Sequence, residues 1–431
     1  LHSLFGHFMT QFYAEPFRGT TLLSALTASA SAGVLVLLIN DLKHGTAVAL
    51  PVALIYAFSF QVWGSATVTE VYSLGMLCLS ITLLYAWRWC ANGKRSHFII
   101  WTMAYEFTLG AYFANILLLP AFAFLIYFTS DRKVRDVLSF AVLTGLAILL
   151  IGVANYCLAK NAAPISGAVP DSIINMILYM SGSQHAPLQI RDSGFILTRF
   201  LQHLEIFSRS MLFIGIPLGL LGAAVITRMH TVFGSFLLMV FAIYMAYYTV
   251  FGPGDYFMMV LPAYFIFSVW IAFGVFGLLD YVGDRSMQWV CRLLPVLMVA
   301  GLLIYQFDGR RLMARSLDAE AFADRTFASL ARDAVAITGF KEFAALNYFQ
   351  EVDSARTDIR FVLPARSDRH YRFGEVSDYV ELVGSAICSA PVYTTKDLPD
   401  LPSQYELQEN TADGPWMRIT GAGGKPPEFC R

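Results

Sequence analysis

Val137–Leu158 reads VLSFAVLTGLAILLIGVANYCL, twenty-two residues with no charge among them. A helix crossing the hydrocarbon core of a bilayer needs about 20 mostly apolar residues, so this stretch predicts a membrane span. Working outward, runs of the same kind occupy 20–39, 46–63, 71–88, 210–227, 231–251, 257–280 and 291–306. The run 97–128 also reads as apolar but breaks near Leu109-Gly110, with Pro120 beyond. It predicts a hairpin of two shorter helices that enters and leaves on one side. Composition agrees with lipid as the solvent: 57% of residues are hydrophobic and only 14% are charged, against about a quarter in a soluble domain. The predicted fold is a polytopic α-helical membrane protein, with nine apolar segments in residues 1–307 and a small C-terminal α/β soluble domain in 308–431.

Loop charges give the orientation. One set of loops carries Lys43, then Arg88, Lys94 and Arg95, then Arg132, Lys133 and Arg135, then Arg228 and Arg285. The loops at 64–70 and 252–256 carry no Lys or Arg. Basic loops stay on the cytoplasmic side, and with 97–128 as a hairpin every basic loop falls there. Residues 1–19, the loop 159–193 and the tail from about 308 then face outward, toward periplasm, cell exterior or lumen. The net charge of −1 argues against nucleic acid, whose backbone needs a dense basic face. The chain opens at Leu1 without Met or a basic n-region, which reads as a truncated or processed N-terminus rather than a signal peptide.

The tail changes character. Ala334–Thr338 reads as a strand closed by Gly339, Phe340–Glu351 as a helix and Ile359–Leu363 as a second strand. Glu375–Ala386 reads as a second helix and Pro391–Thr395 as a third strand. Alternating strands and helices predict a parallel sheet. No GxGxxG follows the first strand, so a nucleotide site there lacks its motif. A lid or acceptor-docking role and a plain stabilising appendage both fit. The six cysteines are Cys78, Cys90, Cys157, Cys291, Cys388 and Cys430, with no CxxC pair to suggest metal or redox chemistry. In an oxidising compartment Cys388 and Cys430 can pair, or both can remain free thiols.

Polar groups at membrane depth are costly and mark function by default. Gln61, Trp63, Thr67, Thr69, Glu70 and Tyr72 form a polar turn on the outer face. A carboxylate there can orient an acceptor hydroxyl or act as a base; Thr67-x-x-Glu70 equally fits a capping box for the next helix. Asn115 sits within the apolar Ala111–Phe128, either bonding across the bundle at a kink or lining a cavity. Asp255 follows Gly252-Pro253-Gly254 at the start of a span, where the helix dipole favours it and where it can also reach an outer-face substrate. Phe195–Arg209 is amphipathic, with Ile196, Leu197, Phe200, Leu201, Leu204 and Phe207 as one stripe, and is expected to lie in the interface plane. Arg199 and His203, four apart, can grip a lipid phosphate or simply anchor the helix among head groups, and Arg191 belongs with them. No HxxxH, HExxH, GxSxG or Walker pattern occurs, so no metal site is expected.

In order along the chain, these residues resemble a known family. Phe17-Arg18-Gly19 leading to Leu22-Leu23-Ser24-Ala25-Leu26 is similar to its "WRvNLLSAl" opening. Ala57-Phe58-Ser59-Phe60-Gln61-Val62-Trp63 with Glu70-Val71-Tyr72-Ser73-Leu74 resembles its "aFSptfWsqavitEVYaLn" segment, the most specific piece. Leu109-Gly110, Ala114-Asn115 and Leu117–Pro120 resemble its "LGnHltmlLllPa" hairpin. Asp255-Tyr256 with Leu261-Pro262-Ala263-Tyr264 resembles "D.evYylPaYl". The family comprises bacterial relatives of the endoplasmic-reticulum transmembrane O-mannosyltransferase that modifies plexin-type domains, within the GT-C superfamily.

The resemblance implies a GT-C-like bundle in a bacterial inner membrane, with its C-terminal domain outside. It implies hexosyl transfer, of the O-mannosyltransferase type, from a polyprenyl-phosphate carrier to a protein, lipid or glycan hydroxyl, with no cofactor beyond that donor. Glu70 and Asp255 are the expected catalytic residues. Gln61, Tyr72, Asn115, Arg191, Arg199 and His203 are the expected substrate-binding residues, with membrane lipids as further partners. It also implies a catalytic acidic residue upstream of Leu1, and Gly110-Ala111-Tyr112 departs from the pattern by lacking its His. Two other classes fit the sequence: a transporter or flippase of a lipid-linked solute, and a non-catalytic membrane scaffold.

Overall fold

The computed structural model describes residues 2–12, 16–69, 71–161, 172–180, 193–250, 259–282, 285–307, 309, 318–362, 366–368, 371–373, 379–395, 405–409 and 416–421. The chain divides into two compact units, Leu1–Ile151 with Met180–Ala314, and Gly152–Tyr179 with Arg315–Arg431.

The helices are α1 (His2–Thr10), α2 (Pro16–Leu42), α3 (Thr46–Ala57), α4 (Phe60–Ala66), α5 (Tyr72–Asn92), α6 (Arg95–Ala111), α7 (Leu119–Thr129) and α8 (Lys133–Asn161). They continue with α9 (Ile173–Met180), α10 (Ser193–Ser210), α11 (Gly215–Met229), α12 (Thr231–Val250), α13 (Leu261–Tyr281) and α14 (Arg285–Tyr305). Among the described residues six helices, within α2, α5, α8, α12, α13 and α14, are long and apolar enough to cross a membrane; two bent pairs raise the number to eight. The sixteen residues Leu261–Phe276 of α13 are all buried. A helix apolar on every side demands such a position, and α13 forms the centre of the unit.

Small residues let α11 and α13 approach backbone to backbone. A Cβ on Gly222 would lie 1.6 Å from the Trp270 carbonyl oxygen, and one on Gly274 2.1 Å from that of Leu218. In a membrane, where lipid is as apolar as leucine, close backbone packing of this kind drives helix association.

Residues 97–128 double back. The chain leaves α6 at Tyr112, makes a 3-10 turn over Phe113–Leu118 and returns through α7. Arg95 at the start of α6 and Ser130 just after α7 both bond to Asp136, at 2.7 Å each, so the hairpin's two feet share one carboxylate. Trp101 and Tyr105 pack their rings on Phe122 between the arms, at 5.4 and 4.5 Å. Further ion pairs gather at this end: Arg88 with Asp41 at 2.7 Å and Lys43 with Asp280 at 2.6 Å. The His230 ring packs edge-on to Trp87 there, at 4.6 Å.

Three expectations need correction. The run 46–63 is broken at Phe58-Ser59, where the chain turns by 67° into α4; Ser59 adopts an extended backbone and donates its hydroxyl to the Tyr56 carbonyl. The run 210–227 begins later, because α10 and α11 meet at a 97° corner in which Leu212 and Phe213 both take left-handed backbone angles. The capping box fails as well. Thr67 ends α4, donating to the carbonyls of Trp63 and Gly64, while α5 is preceded by Val71.

The second unit contains the α/β fold. α15 (Asp318–Ser329) precedes β1 (Val335–Ile337), α16 (Phe340–Asp353), β2 (Arg360–Val362), the pair β3 (Arg366–Asp368) and β4 (Tyr371–Phe373), α17 (Tyr379–Ala386), β5 (Val392–Thr394), β6 (Tyr405–Glu409) and β7 (Met417–Gly421). The main sheet has the order β2-β1-β5-β7-β6. β1 is parallel to β2 and β5, as the alternation predicts, and β7 adds an antiparallel extension with β6. Cys388 is disulfide-bonded, and Cys430 lies outside the described residues.

Arg356 closes the end of α15. Its guanidinium donates to the carbonyls of Phe327, Leu330 and Ala331 and to both oxygens of Asp358. Cations suit a helix C-terminus, so Arg356→Ala is expected to cost about 1–2 kcal/mol. Hydrogen exchange of the 318–331 amides reads the effect, and unchanged protection would refute it. The Arg356 hydrogen bond chiefly holds the Asp358 carboxyl down at about 2, below its ordinary 3.8. A lowered carboxyl stabilises the fold above its unfolded value. That contribution is therefore complete above pH 3.8 and is lost as pH falls toward 2.

Candidate functional site: a buried polar and aromatic network

The network lies at the end of the membrane unit opposite the ion pairs. Thr20, near the start of α2, bonds Thr69 at 3.0 Å, whereas Asp41 of the ion-pair end is 21 residues further along the same helix, about 31 Å at 1.5 Å per residue. Asn115, at the hairpin tip, is the hub. Its Nδ2 donates to the Tyr112 carbonyl at 2.8 Å, and its Oδ1 accepts a short hydrogen bond from the Tyr244 hydroxyl. The Tyr105 hydroxyl donates to the Asn115 carbonyl at 3.2 Å. An amide buried to 1% exposure is tolerable in an apolar bundle only with such bonds.

From this hub the network spreads outward. Tyr112 places its hydroxyl 3.1 Å from that of Tyr248 and its ring edge-on to Tyr72 at 5.4 Å. Gly75 makes room, since a Cβ there would sit 2.8 Å from Cβ of Tyr112. His203 of α10 is buried, and its Nε2 lies 3.3 Å from the Tyr248 carbonyl, so it bonds there as the Nε2–H tautomer. Tyr72, Met76, Tyr112, Asn115, Met259 and Leu261 line a small pocket beside these groups.

Three expected residues, Tyr72, Asn115 and His203, are thus brought together. Gln61 is buried nearby on α4 and accepts a 2.6 Å bond from the Ser210 hydroxyl, tying α4 to the α10–α11 corner. Arg199 lies over the Phe195 ring at 5.2 Å, one helical turn before His203. Glu70, Arg191 and Asp255 lie outside the described residues. On α10 the stripe residues Leu197, Phe200, Leu201 and Leu204 are exposed, whereas Phe207 is buried against Tyr264 and Phe267. The helix therefore turns its His203–Phe207 side to the bundle and its leucine-rich side away from it.

Sequence reasoning missed Tyr112, Tyr244, Tyr248 and Ser210. The available signal was the four-residue spacing of Tyr244 and Tyr248, two hydroxyls on one face of an apolar helix. It also passed over Glu106, a carboxylate within the run 97–128. Glu106 accepts from Thr144 at 2.9 Å through Oε1, while Oε2 is buried without a partner. It lines a groove of about 190 Å³ between α6 and α8. No cluster of His, Cys, Asp or Glu suited to a metal occurs among the described residues.

Fold and network together describe a polytopic helical membrane protein with a polar, tyrosine-rich pocket built on a hairpin tip. Residues 1–135 match the family model of the protein O-mannosyl-transferase TMEM260 N-terminal domain. The match supports kinship with O-mannosyltransferase-like proteins and a glycosyltransferase type of activity. It covers α1 through α7, and with them Gln61, Tyr72 and Asn115. No curated protein matches the chain.

Proposed function

We propose that the protein is a GT-C-like membrane glycosyltransferase. It moves a hexose, mannose by preference, from a polyprenyl-phosphate carrier to a hydroxyl of a protein, lipid or glycan. Transfer takes place on the extracytoplasmic face, in a bacterial inner membrane, and the C-terminal domain 308–431 faces the same side. What carries the reading is a coincidence: the stretch that matches the O-mannosyl-transferase family model holds three buried polar residues, Gln61, Tyr72 and Asn115, at the end opposite the basic loops.

In this reading Glu70, two residues before Tyr72, orients the acceptor hydroxyl and takes its proton as the C–O bond to the sugar forms. Asp255 is its acidic counterpart at the start of the later span. Arg191 and Arg199 bind the carrier phosphate and stabilise the negative charge that the leaving group acquires. His203 and Asn115 keep the pocket in shape.

The test is transfer from polyprenyl-phosphate mannose by the natural protein in membranes. Glu70→Gln combined with Arg199→Ala is expected to lower the rate by about a hundredfold or more. Wild-type transfer by the folded double variant would remove both residues from the mechanism. The two broken helix pairs also suit a carrier of lipid-linked solutes. Solute uptake into liposomes without any sugar transfer would favour that function instead.

A further inference from the structure

The sheet of the second unit has a feature with no part in the membrane network. β1 lies between β2 and β5 and runs parallel to both. From β1 the chain passes through α16 to β2, then returns across β1 and through α17 to β5. α16 covers one face, where Phe343 and Leu346 pack with Ala336, Phe361 and Tyr393. α17 covers the other, where Val383 and Ala386 pack with Val335, Ile337 and Val392. The strand order therefore reverses between β1 and β5. In open α/β sheets the crevice beyond the carboxyl ends of the strands at such a reversal receives ligands.

Two threonines stand at that place. The register pairs Ile337 with Thr394, so the next residues, Thr338 and Thr395, are neighbours. Alternation along the strands puts both on the face that α16 covers. Their amides are satisfied, Thr338 N–H by the Val362 carbonyl at 3.0 Å and Thr395 N–H by that of Ile337 at 3.2 Å. Their hydroxyls are not: both Oγ1 atoms are buried with no hydrogen-bond partner, and Thr338 is 0% exposed. Buried hydroxyls are ordinarily paired, and two orphans side by side call for a shared acceptor. The next residue after Thr338 is Gly339, the N-cap of α16, which offers the first-turn amides no side-chain acceptor. Free amides at a helix N-terminus attract anions.

We propose that this point binds the phosphoryl group of a small phosphorylated molecule, held by the first-turn amides of α16 and the hydroxyls of Thr338 and Thr395. Both hydroxyls donate to phosphoryl oxygens, and the helix dipole favours the negative charge. Glu342 in the first turn of α16 opposes an anion and so limits the affinity. The proposal stands independently of sugar transfer.

Titration calorimetry with inorganic phosphate, on the whole chain in nanodiscs at constant ionic strength, tests it. Saturable binding is expected, weakened about tenfold by Thr338→Val or Thr395→Val and retained by Thr338→Ser. Glu342→Gln should tighten it several-fold, a response that a neutral ligand site would not give. Absence of saturable binding, or wild-type affinity in the two valine variants, overturns the proposal. If the valine variants do not fold, Glu342→Gln decides alone, and an unchanged affinity in that variant overturns it too.

Discussion

Gly222→Ala is expected to abolish or severely weaken the folded membrane unit. The added methyl carbon would sit 1.6 Å from the Trp270 carbonyl oxygen and 2.5 Å from the Gly274 nitrogen. Both obstacles are backbone atoms, so no side chain can rotate away. Relief requires α11 and α13 to separate, and α13 is the most buried helix of the unit. Overpacking of a core costs about 1–3 kcal/mol even where side chains can adjust; here about 3 kcal/mol or more is expected. Gly145→Ala supplies the control. It lies on α8 with nothing within 4 Å of its added Cβ, and alanine is the better helix former by about 1 kcal/mol. Apparent Tm in detergent should therefore fall sharply for Gly222→Ala and hold or rise for Gly145→Ala. A Gly222→Ala melting temperature within about 2 °C of wild type would mean that the close approach does not exist.

The second large effect is at Asn115. Removing its amide by Asn115→Ala leaves the Tyr244 hydroxyl without its acceptor, inside a bundle where Tyr244 is 0% exposed. It also takes the side-chain donor from the Tyr112 carbonyl, which keeps only the Asn115 backbone N–H at 3.2 Å. An orphaned buried hydroxyl costs about 1–3 kcal/mol and the space left by the side chain adds to it, so a loss of about 2–4 kcal/mol is expected. Tyr244→Phe removes the hydroxyl itself and should cost less. Combined with Asn115→Ala it should cost less than the sum, with a coupling of about 1–2 kcal/mol. Strict additivity in denaturation of the two single variants and the double variant would break the proposed link. Activity should fall with stability, because the same residue fixes Tyr112 on the wall of the pocket.

The helices that cross were legible because a span is set by length and apolarity alone, as Val137–Leu158 illustrates. The hairpin was legible from Leu109-Gly110 and Pro120, which interrupt an apolar run long enough for more than one pass. The corners at Phe58-Ser59 and at Met211–Ile214 were not. Neither contains Gly or Pro, and both are fixed by tertiary contacts such as the Ser210–Gln61 bond, which joins residues 149 apart in sequence. In the site, Gln61, Asn115 and His203 stood out as polar groups in apolar surroundings. Their partners Tyr112, Tyr244 and Tyr248 did not, because an aromatic ring reads as core until its hydroxyl is seen to face another. The antiparallel strands β6 and β7 also escaped notice, since in Tyr405–Glu409 and Met417–Gly421 polar and apolar residues are mixed too evenly for the short apolar runs that marked the other strands.

The shared foot of the hairpin on Asp136 bears on sidedness. A helix that crosses exchanges inside for outside for everything downstream, but α6 and α7 leave and return at one end. The pair contributes an even step, so excising it would leave the handed order of α8 onward unchanged. A change in the length of its arms therefore does not invert the remainder of the protein, while Asp136 keeps the insertion point closed and Asn115 ties the tip to α12.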